Sequence, residues 1–226
     1  MIINLLNLFF PKSCLGCRTH LSDNENYICT SCRHQLPTTN FHFEDDSEMK
    51  KILFGRVSLE NATALFHFSK KGIVQELLHN LKYRRHESIS TYLGQWLGEE
   101  LKSVQSYEDI DIVIPVPLHK SKMRKRGYNQ VAEFGKEIAN ALQVDYNDTL
   151  LKKSSALKTQ VFKSRIKRWS DSNTAFNLTQ TEHLSGKHIL LVDDIITTGA
   201  TIEACANELL KIENIKLSIA TMAIAN

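Results

Sequence analysis

The sequence predicts an α/β fold: a mostly parallel, twisted sheet flanked by helices, with a small cysteine-bearing element at its N-terminal side. Three observations predict it. Apolar runs at 61–68, 110–116, 189–192 and 215–224 are separated by segments of helical periodicity, the pattern of strands joined by helical crossovers. The run Ile189-Leu190-Leu191-Val192 is apolar at every position, as a strand buried on both faces of a parallel sheet must be. Two C-x-x-C pairs, Cys14/Cys17 and Cys29/Cys32, precede all of these runs.

Composition sets the outer bounds. A chain of 226 residues can bury one α/β core and still carry an appendage. Hydrophobic residues make up 42% and charged residues 23%, ordinary for a globular protein. A net charge of only +3 names no partner by itself, so the placement of charge has to do so.

Met1 to Phe10 is an apolar leader closed by Pro11. It is too short to span a bilayer, and no basic residue precedes it as in a signal peptide. Its only polar residues are the uncharged Asn4 and Asn7. A short helix docked on its own protein is therefore preferred to one lying on a membrane. No membrane span and a cytoplasmic location are expected, where the five cysteines would not pair as disulfides.

The pairs Cys14/Cys17 and Cys29/Cys32 suit one tetrahedral Cys₄ zinc site, with room for a short hairpin over Arg18–Ile28. A redox C-x-x-C needs only one pair, at a strand–helix junction. Four protein thiolates leave no open coordination position, so the expected Zn²⁺ is structural; His20 and His34 lie near but are not needed. Gln35 to Lys51, with Glu44, Asp45, Asp46 and Glu48, reads as a polar connection. The expected division is residues 1–45 for leader and zinc element and 46–226 for the main domain.

The main domain then follows in order. Asn61–Phe68 is a first strand. Ile73, Val74, Leu77, Leu78 and Leu81 mark one helix face, and Ile89, Tyr92, Leu93, Trp96, Leu97 and Leu101 another. Between them, Lys82, Arg84 and Arg85 are either a basic helix end facing the dipole or a phosphate contact; spacing does not separate the two. Ile110–Val116 is a second buried strand whose exit, Pro115-Val116-Pro117-Leu118-His119, is stiffened by proline. A basic loop with Lys120, Lys122, Arg124, Lys125 and Arg126 follows, then Gly127-Tyr128-Asn129-Gln130 and a helix marked by Val131, Phe134, Ile138 and Leu142. In a parallel sheet that loop lies at the carboxyl edge, where ligands bind, so polyanion binding is preferred to a solvated charge run. Lys152–Arg168 is a second basic stretch without an acid. Trp169 and Phe176 are either core or base-stacking residues, with core preferred. Ile202, Cys205, Leu209 and Leu210 mark a helix whose Cys205 is a buried apolar residue, and Ile215–Ile224 is the last strand.

The centre of the chain is Ile189 to Thr201. Here Asp193 and Asp194 end an apolar strand, and Ile195-Ile196-Thr197-Thr198-Gly199-Ala200-Thr201 turns into a helical pattern. Unpaired N–H groups, hydroxyls and the positive end of a helix dipole make an anion site, most naturally for a phosphate. The two acids can accept from a vicinal diol or help hold a cation. A ribose 5-phosphate presents both groups. No lysine stands in the turn, as a P-loop requires, and a single glycine cannot make G-x-G-x-x-G.

This stretch resembles the phosphoribosyl pyrophosphate (PRPP) motif of the type I phosphoribosyltransferases. The resemblance implies that fold, with Asp193 and Asp194 on the ribose hydroxyls and Thr197, Thr198, Gly199, Ala200 and Thr201 around the 5-phosphate. The match extends further. Leu81-Lys82-Tyr83-Arg84, Pro115-Val116-Pro117-Leu118-His119, Arg126-Gly127-Tyr128-Asn129-Gln130, Lys158-Thr159-Gln160, Arg168 and Ala175-Phe176 resemble the ComF family. That family joins a Cys₄ zinc element to a phosphoribosyltransferase domain; some members are competence proteins linked to DNA uptake, others are amidophosphoribosyltransferase-like. The resemblance implies Mg²⁺ with PRPP, and a flexible loop at Lys152–Arg168 that closes over the ligand. Lys82, Arg84, Pro115, Val116, Pro117, His119, Arg124 and Arg126 are the candidates near pyrophosphate. Where the family commonly has an asparagine shortly after the later arginine, Trp169-Ser170-Asp171 follows Arg168. The expectation is a PRPP-binding protein that supports DNA uptake and transfers phosphoribosyl to an acceptor the sequence does not identify. The alternative is a non-catalytic PRPP sensor that binds single-stranded DNA, alongside competence or recombination proteins. No residue is assigned a catalytic role.

Overall fold

The computed structural model describes residues 12–44, 48–153 and 176–225. The apolar leader, Asp45, Asp46, residues 154–168 of the second basic stretch, Trp169 and Ala175 lie outside the described residues.

Among the described residues, five strands form the main sheet: β1 (Ala62–Phe68), β2 (Ile112–Pro115), β3 (Asp145–Tyr146), β6 (His188–Ile196) and β7 (Lys216–Ala225). Their spatial order is β1-β7-β6-β2-β3, and every pairing is parallel. A separate antiparallel pair joins β4 (Leu151–Lys153) to β5 (Phe176–Leu178). The helices are α1 (Thr30–His34), α2 (Glu48–Leu53), α3 (Ile73–Tyr83), α4 (Ser88–Lys102), α5 (Lys120–Arg126), α6 (Ala132–Leu142) and α7 (Ala200–Leu209).

Alternation along the strands builds a layer on each face. Val113, Leu190 and Val192 join Leu77, Leu81, Leu93, Leu97, Phe134 and Ile138 from α3, α4 and α6 in one core. Ile112, Ile114, Ile189 and Leu191 join Met49, Leu53, Ile202, Cys205 and Leu209 from α2 and α7 in the other. Gly94 and Gly98 let α4 lie close to α6: a Cβ on Gly94 would meet the Phe134 carbonyl oxygen at 2.6 Å.

The strands at 61–68, 110–116 and 215–224 stand within two residues of their expected bounds. Three readings need correction. The polar connection at 35–51 is built into the fold. Thr38 bridges Phe66, the His67 N–H donates to the Pro37 carbonyl at 2.8 Å, and α2 buries Met49 and Leu53 completely. Those two apolar residues stand four apart, one helical turn, in a charged stretch. The basic loop at 120–126 is a helix. Lys, Met and Arg favour helix, the His119 Nδ1 accepts from the Ser121 N–H at 3.2 Å, and Gly127 closes the helix at φ 88°. Finally, β6 runs through the two acids to Ile196 rather than stopping at Val192.

At the amino end of the sheet, His188 bridges Asp109 Oδ1 and Ser218 Oγ, both at 2.8 Å. The connectivity is that of a hydrolase triad, but Ser218 is fully buried and its Oγ already accepts from the Asn61 N–H at 3.1 Å. It fastens β6 to β7 and to the residue before β1.

Candidate functional site

The acids lie where the sheet opens. β2 pairs with β6 only as far as Pro115 opposite Val192, whereas β7 stays paired to Ile196. Asp193 and Asp194 therefore project just past the end of β2, at the carboxyl edge, the crevice that open α/β sheets use for ligands.

Asp194 is almost completely buried and held at both oxygens. Lys82 Nζ, from the last turn of α3, donates to Oδ1 at 3.0 Å, and Gln130 Nε2 donates to Oδ2 at 2.5 Å. Asp193 is partly buried; its Oδ1 accepts the Asp194 N–H at 2.8 Å. Burial, then the like charge of Asp194, push the Asp193 carboxyl up to about 7. Lone pairs on both acids remain for hydroxyl donors.

Past Ile196 the chain exposes Thr197 and Thr198 and turns at Gly199, which has φ 77° and precedes α7. Gly199 is buried against α2: a Cβ there would lie 2.7 Å from Leu53 Cδ2. Only glycine combines that backbone with that approach. Thr198 Oγ1 faces the Ala200 N–H at 3.5 Å. Ala200 and Thr201 are exposed in the first turn of α7, where N–H groups lack helical partners.

The segment from Arg126 to Gln130 assembles the other wall, with one task per residue. Arg126 Nη1 donates to Gln130 Oε1 at 2.7 Å, and its guanidinium lies 5.6 Å over the Tyr83 ring. Gly127 ends α5. The Tyr128 hydroxyl donates to the Leu81 carbonyl. Asn129 Nδ2 donates to the Val116 carbonyl at 3.1 Å and so fixes the exit of β2. Gln130 holds Asp194. Lys82, Tyr83, Arg85, Lys122, Lys125, Arg126 and Tyr128 line a pocket of about 250 Å³ beside this network. Pro115 and Val116 are buried at the β2 exit, and Pro117 and His119 are partly exposed beyond it. Arg84 and Arg124 are exposed and do not line the pocket. Phe176 is core, and Cys205 is completely buried in the α7 layer.

Sequence reasoning missed Gln130 as an acid-holding residue and Arg56 altogether. Arg56, just past α2, donates from Nη2 to the Thr198 carbonyl at 2.8 Å and pairs through Nη1 with Glu203 at 2.8 Å. Neither has a local signal, because each meets its partner across a long stretch of chain.

At the other end of α3, the sulfurs of Cys14, Cys17, Cys29 and Cys32 lie within 4.8 Å of one another. A Zn–S length of about 2.3 Å requires sulfurs about 3.8 Å apart on a tetrahedron, and Cys17 and Cys29 stand at 3.6 Å. Backbone N–H groups of Gly16 and Cys29 point at Cys14 Sγ, at 3.4 and 3.3 Å. Hydrogen bonds from Thr19 lower Cys17 to about 6, whereas burial among the other thiols raises Cys32. A divalent cation resolves that crowding by stabilising four thiolates together. The element is part of the core: Cys14, Ile28, Cys29, Cys32 and Leu36 pack with α3 and α4, and Asn80 Nδ2 donates to the Leu15 carbonyl at 2.8 Å.

The family model described as "Phosphoribosyl transferase domain" matches residues 132–226, and the "Double zinc ribbon domain" model matches residues 5–42. "Competence protein F" of Haemophilus influenzae is 23% identical over 215 residues, covering 90% of this chain and 93% of the relative. "Competence protein ComFC" of Bacillus subtilis is 24% identical over 201 residues, covering 88% and 78%. The chain is thus similar over most of its length to competence proteins of the ComF kind. "DNA utilization protein YhgH" of Escherichia coli is 28% identical over 138 residues, 60% of each chain. Among solved structures, an adenine phosphoribosyltransferase superposes with a TM-score of 0.38 at 18% identity, covering 68% of this chain and 75% of the other. The glutamine PRPP amidotransferase of Bacillus subtilis gives 0.43 at 16%, covering 62% and 30%.

The chain has a type I phosphoribosyltransferase fold with an N-terminal zinc-ribbon-like element. Only four cysteines fall within the zinc-ribbon match, so they fill one tetrahedral site and leave none for a second. No described helix is long and apolar enough to cross a membrane.

Proposed function

We propose that this chain is a ComF-type protein that binds PRPP with Mg²⁺, transfers its phosphoribosyl group to an acceptor, and acts in the cytoplasm in support of DNA uptake. The observation that carries the reading is the pairing of two acids at the open edge of the sheet with the turn that follows them. Asp193 and Asp194 accept the ribose hydroxyls. Thr197, Thr198, Gly199, Ala200 and Thr201 surround the 5-phosphate. Lys82 stands between Asp194 and the basic pocket, so a pyrophosphate beside Pro115–His119 draws it toward the leaving group, with Arg126 behind it. Asp193, with lone pairs free, would be the residue to help hold Mg²⁺, which would supply charge neutralisation for the pyrophosphate. The C1 bond to pyrophosphate breaks with positive charge developing on the ribose, the acceptor's nucleophile forms the new bond at C1, and the basic groups beside the site would stabilise the departing pyrophosphate. In this reading residues 1–45 contribute the zinc element that closes the core behind α3, and 46–226 carry the site.

Calorimetric titration of PRPP with Mg²⁺ into zinc-loaded wild type and into the Asp193→Asn/Asp194→Asn protein tests this. Binding by the wild type that the double variant loses supports it. No binding by folded wild type refutes it. A second reading, a PRPP sensor that binds single-stranded DNA, is favoured by the basic pocket and its exposed Tyr83, a stacking surface beside cations. Affinity for an oligonucleotide that falls steeply with salt supports that reading, and salt-independent or absent binding removes it.

A further inference from the structure

We infer that Arg56 is a positioning residue for the phosphate turn, setting both the direction of its backbone N–H and its net charge toward a phosphate monoester. The inference rests on the phosphate reading of that turn.

Arg56 makes three contacts. Nη2 donates to the Thr198 carbonyl at 2.8 Å and to the Ile52 carbonyl, and Nη1 meets Glu203 Oε2 at 2.8 Å. The first contact orients the turn. The described chain has no cis peptide bonds, and in a planar trans peptide the carbonyl and the following N–H point in opposite directions. Holding the Thr198 carbonyl toward Arg56 therefore turns the Gly199 N–H to the other side. That N–H has no backbone acceptor among the described residues. Ile52 and Leu53 keep the backbone there: a Cβ on Gly199 would meet Leu53 at 2.7 Å, Arg56 Nη2 at 3.1 Å and Ile52 at 3.3 Å.

The second contact concerns charge. Glu203 lies in the first turn of α7. A carboxylate there suits the helix dipole but opposes an anion at the same helix end. Arg56 neutralises it. The two side chains are 36% and 31% exposed, so the ion pair contributes little to folding. Its effect falls instead on the ligand, whose two negative charges meet a neutral pair rather than a free glutamate.

The test uses full-length, zinc-loaded protein, with calorimetry of PRPP·Mg²⁺ and of ribose 5-phosphate as the readout. R56A is expected to weaken both ligands about tenfold, the scale of one charge-assisted contact, with little change in melting temperature. E203Q alone should bind as well as wild type or more tightly. In R56A/E203Q the electrostatic share of the loss returns, and the share due to the Thr198 carbonyl does not. Hydrogen exchange at Gly199 to Thr201 should be faster in R56A than in wild type. R56A that binds like wild type overturns the inference while leaving the PRPP reading intact. R56A that loses affinity only in proportion to lost stability, without recovery in the double variant, assigns Arg56 a structural role and also overturns it. Wild type that binds neither ligand defeats the PRPP reading and this inference together.

Discussion

Asp193 and Asp194 are adjacent acids, yet neutralising them should move stability in opposite directions. Asp193 has a folded-state pKa raised to about 7 by burial and by its neighbour, against about 3.9 in the unfolded chain. Below about pH 4 both states are protonated and the site costs nothing. Between about pH 4 and pH 7 the unfolded chain ionises freely while the native state resists, so native stability is lost as pH rises, and above about pH 7 the full cost is present. A rise of that size sets a ceiling of about 4 kcal/mol; Asp193 is partly open to water, which reduces this to about 1–2 kcal/mol. Asn cannot ionise but still accepts the Asp194 N–H, so Asp193→Asn should raise Tm at about pH 8 by about 3–6 °C. The gain should shrink toward about pH 5.5. Asp194→Asn instead leaves the ammonium of Lys82, whose side chain is 19% exposed, without its anion. That costs about 2 kcal/mol and lowers Tm by about 5 °C. Thermal unfolding of zinc-loaded wild type and both single variants between about pH 5.5 and pH 8 gives the comparison. Equal Tm for the two variants, or a lower Tm for Asp193→Asn than wild type at the upper pH, refutes the electrostatic account. Both variants should lose PRPP, separating stability from binding.

Three further outcomes follow from packing and ligation. Elemental analysis of purified protein should find one zinc per chain, and a strong chelator should lower Tm and loosen α3, because the cysteines share its core. Gly94→Ala pushes a methyl into the α6 backbone and should cost about 3 kcal/mol by denaturant unfolding without altering the site's residues; a neutral result would mean that α4 and α6 do not approach so closely. Tyr128→Phe leaves the Leu81 carbonyl without its donor, costing about 1 kcal/mol, and should weaken PRPP by releasing the helix end that carries Lys82.

The sheet is legible in the sequence because its strands are apolar on both faces and its helices on one. The phosphate turn and the cysteine pairs are legible because their chemistry is local in sequence. What is not legible depends on distant partners. Glu48–Leu53 carries few apolar residues in a charged segment, and its helix acquires meaning only when Gly199 arrives beneath it. Gln130 and Arg56 look like surface residues until Asp194 and Thr198 are placed beside them. The apolar run alone ends the strand too soon, at Val192, because carboxylates resist strand positions, yet β7 pairs with that backbone whatever its side chains are.

The sheet order also dictates an order of assembly. Among the described strands β1 has a single neighbour in the sheet, β7, and every other described strand is synthesised between the two. During translation β1 emerges first, five of its seven residues destined for full burial, and must wait for the last strand before its backbone can pair in the sheet. Its antiparallel contact at Thr38–Phe66 and the zinc element behind it are partners already present in earlier sequence. Metal supply to the nascent chain should therefore set how long an apolar edge stays open to aggregation, and zinc starvation should show first as insoluble protein rather than as loss of ligand binding.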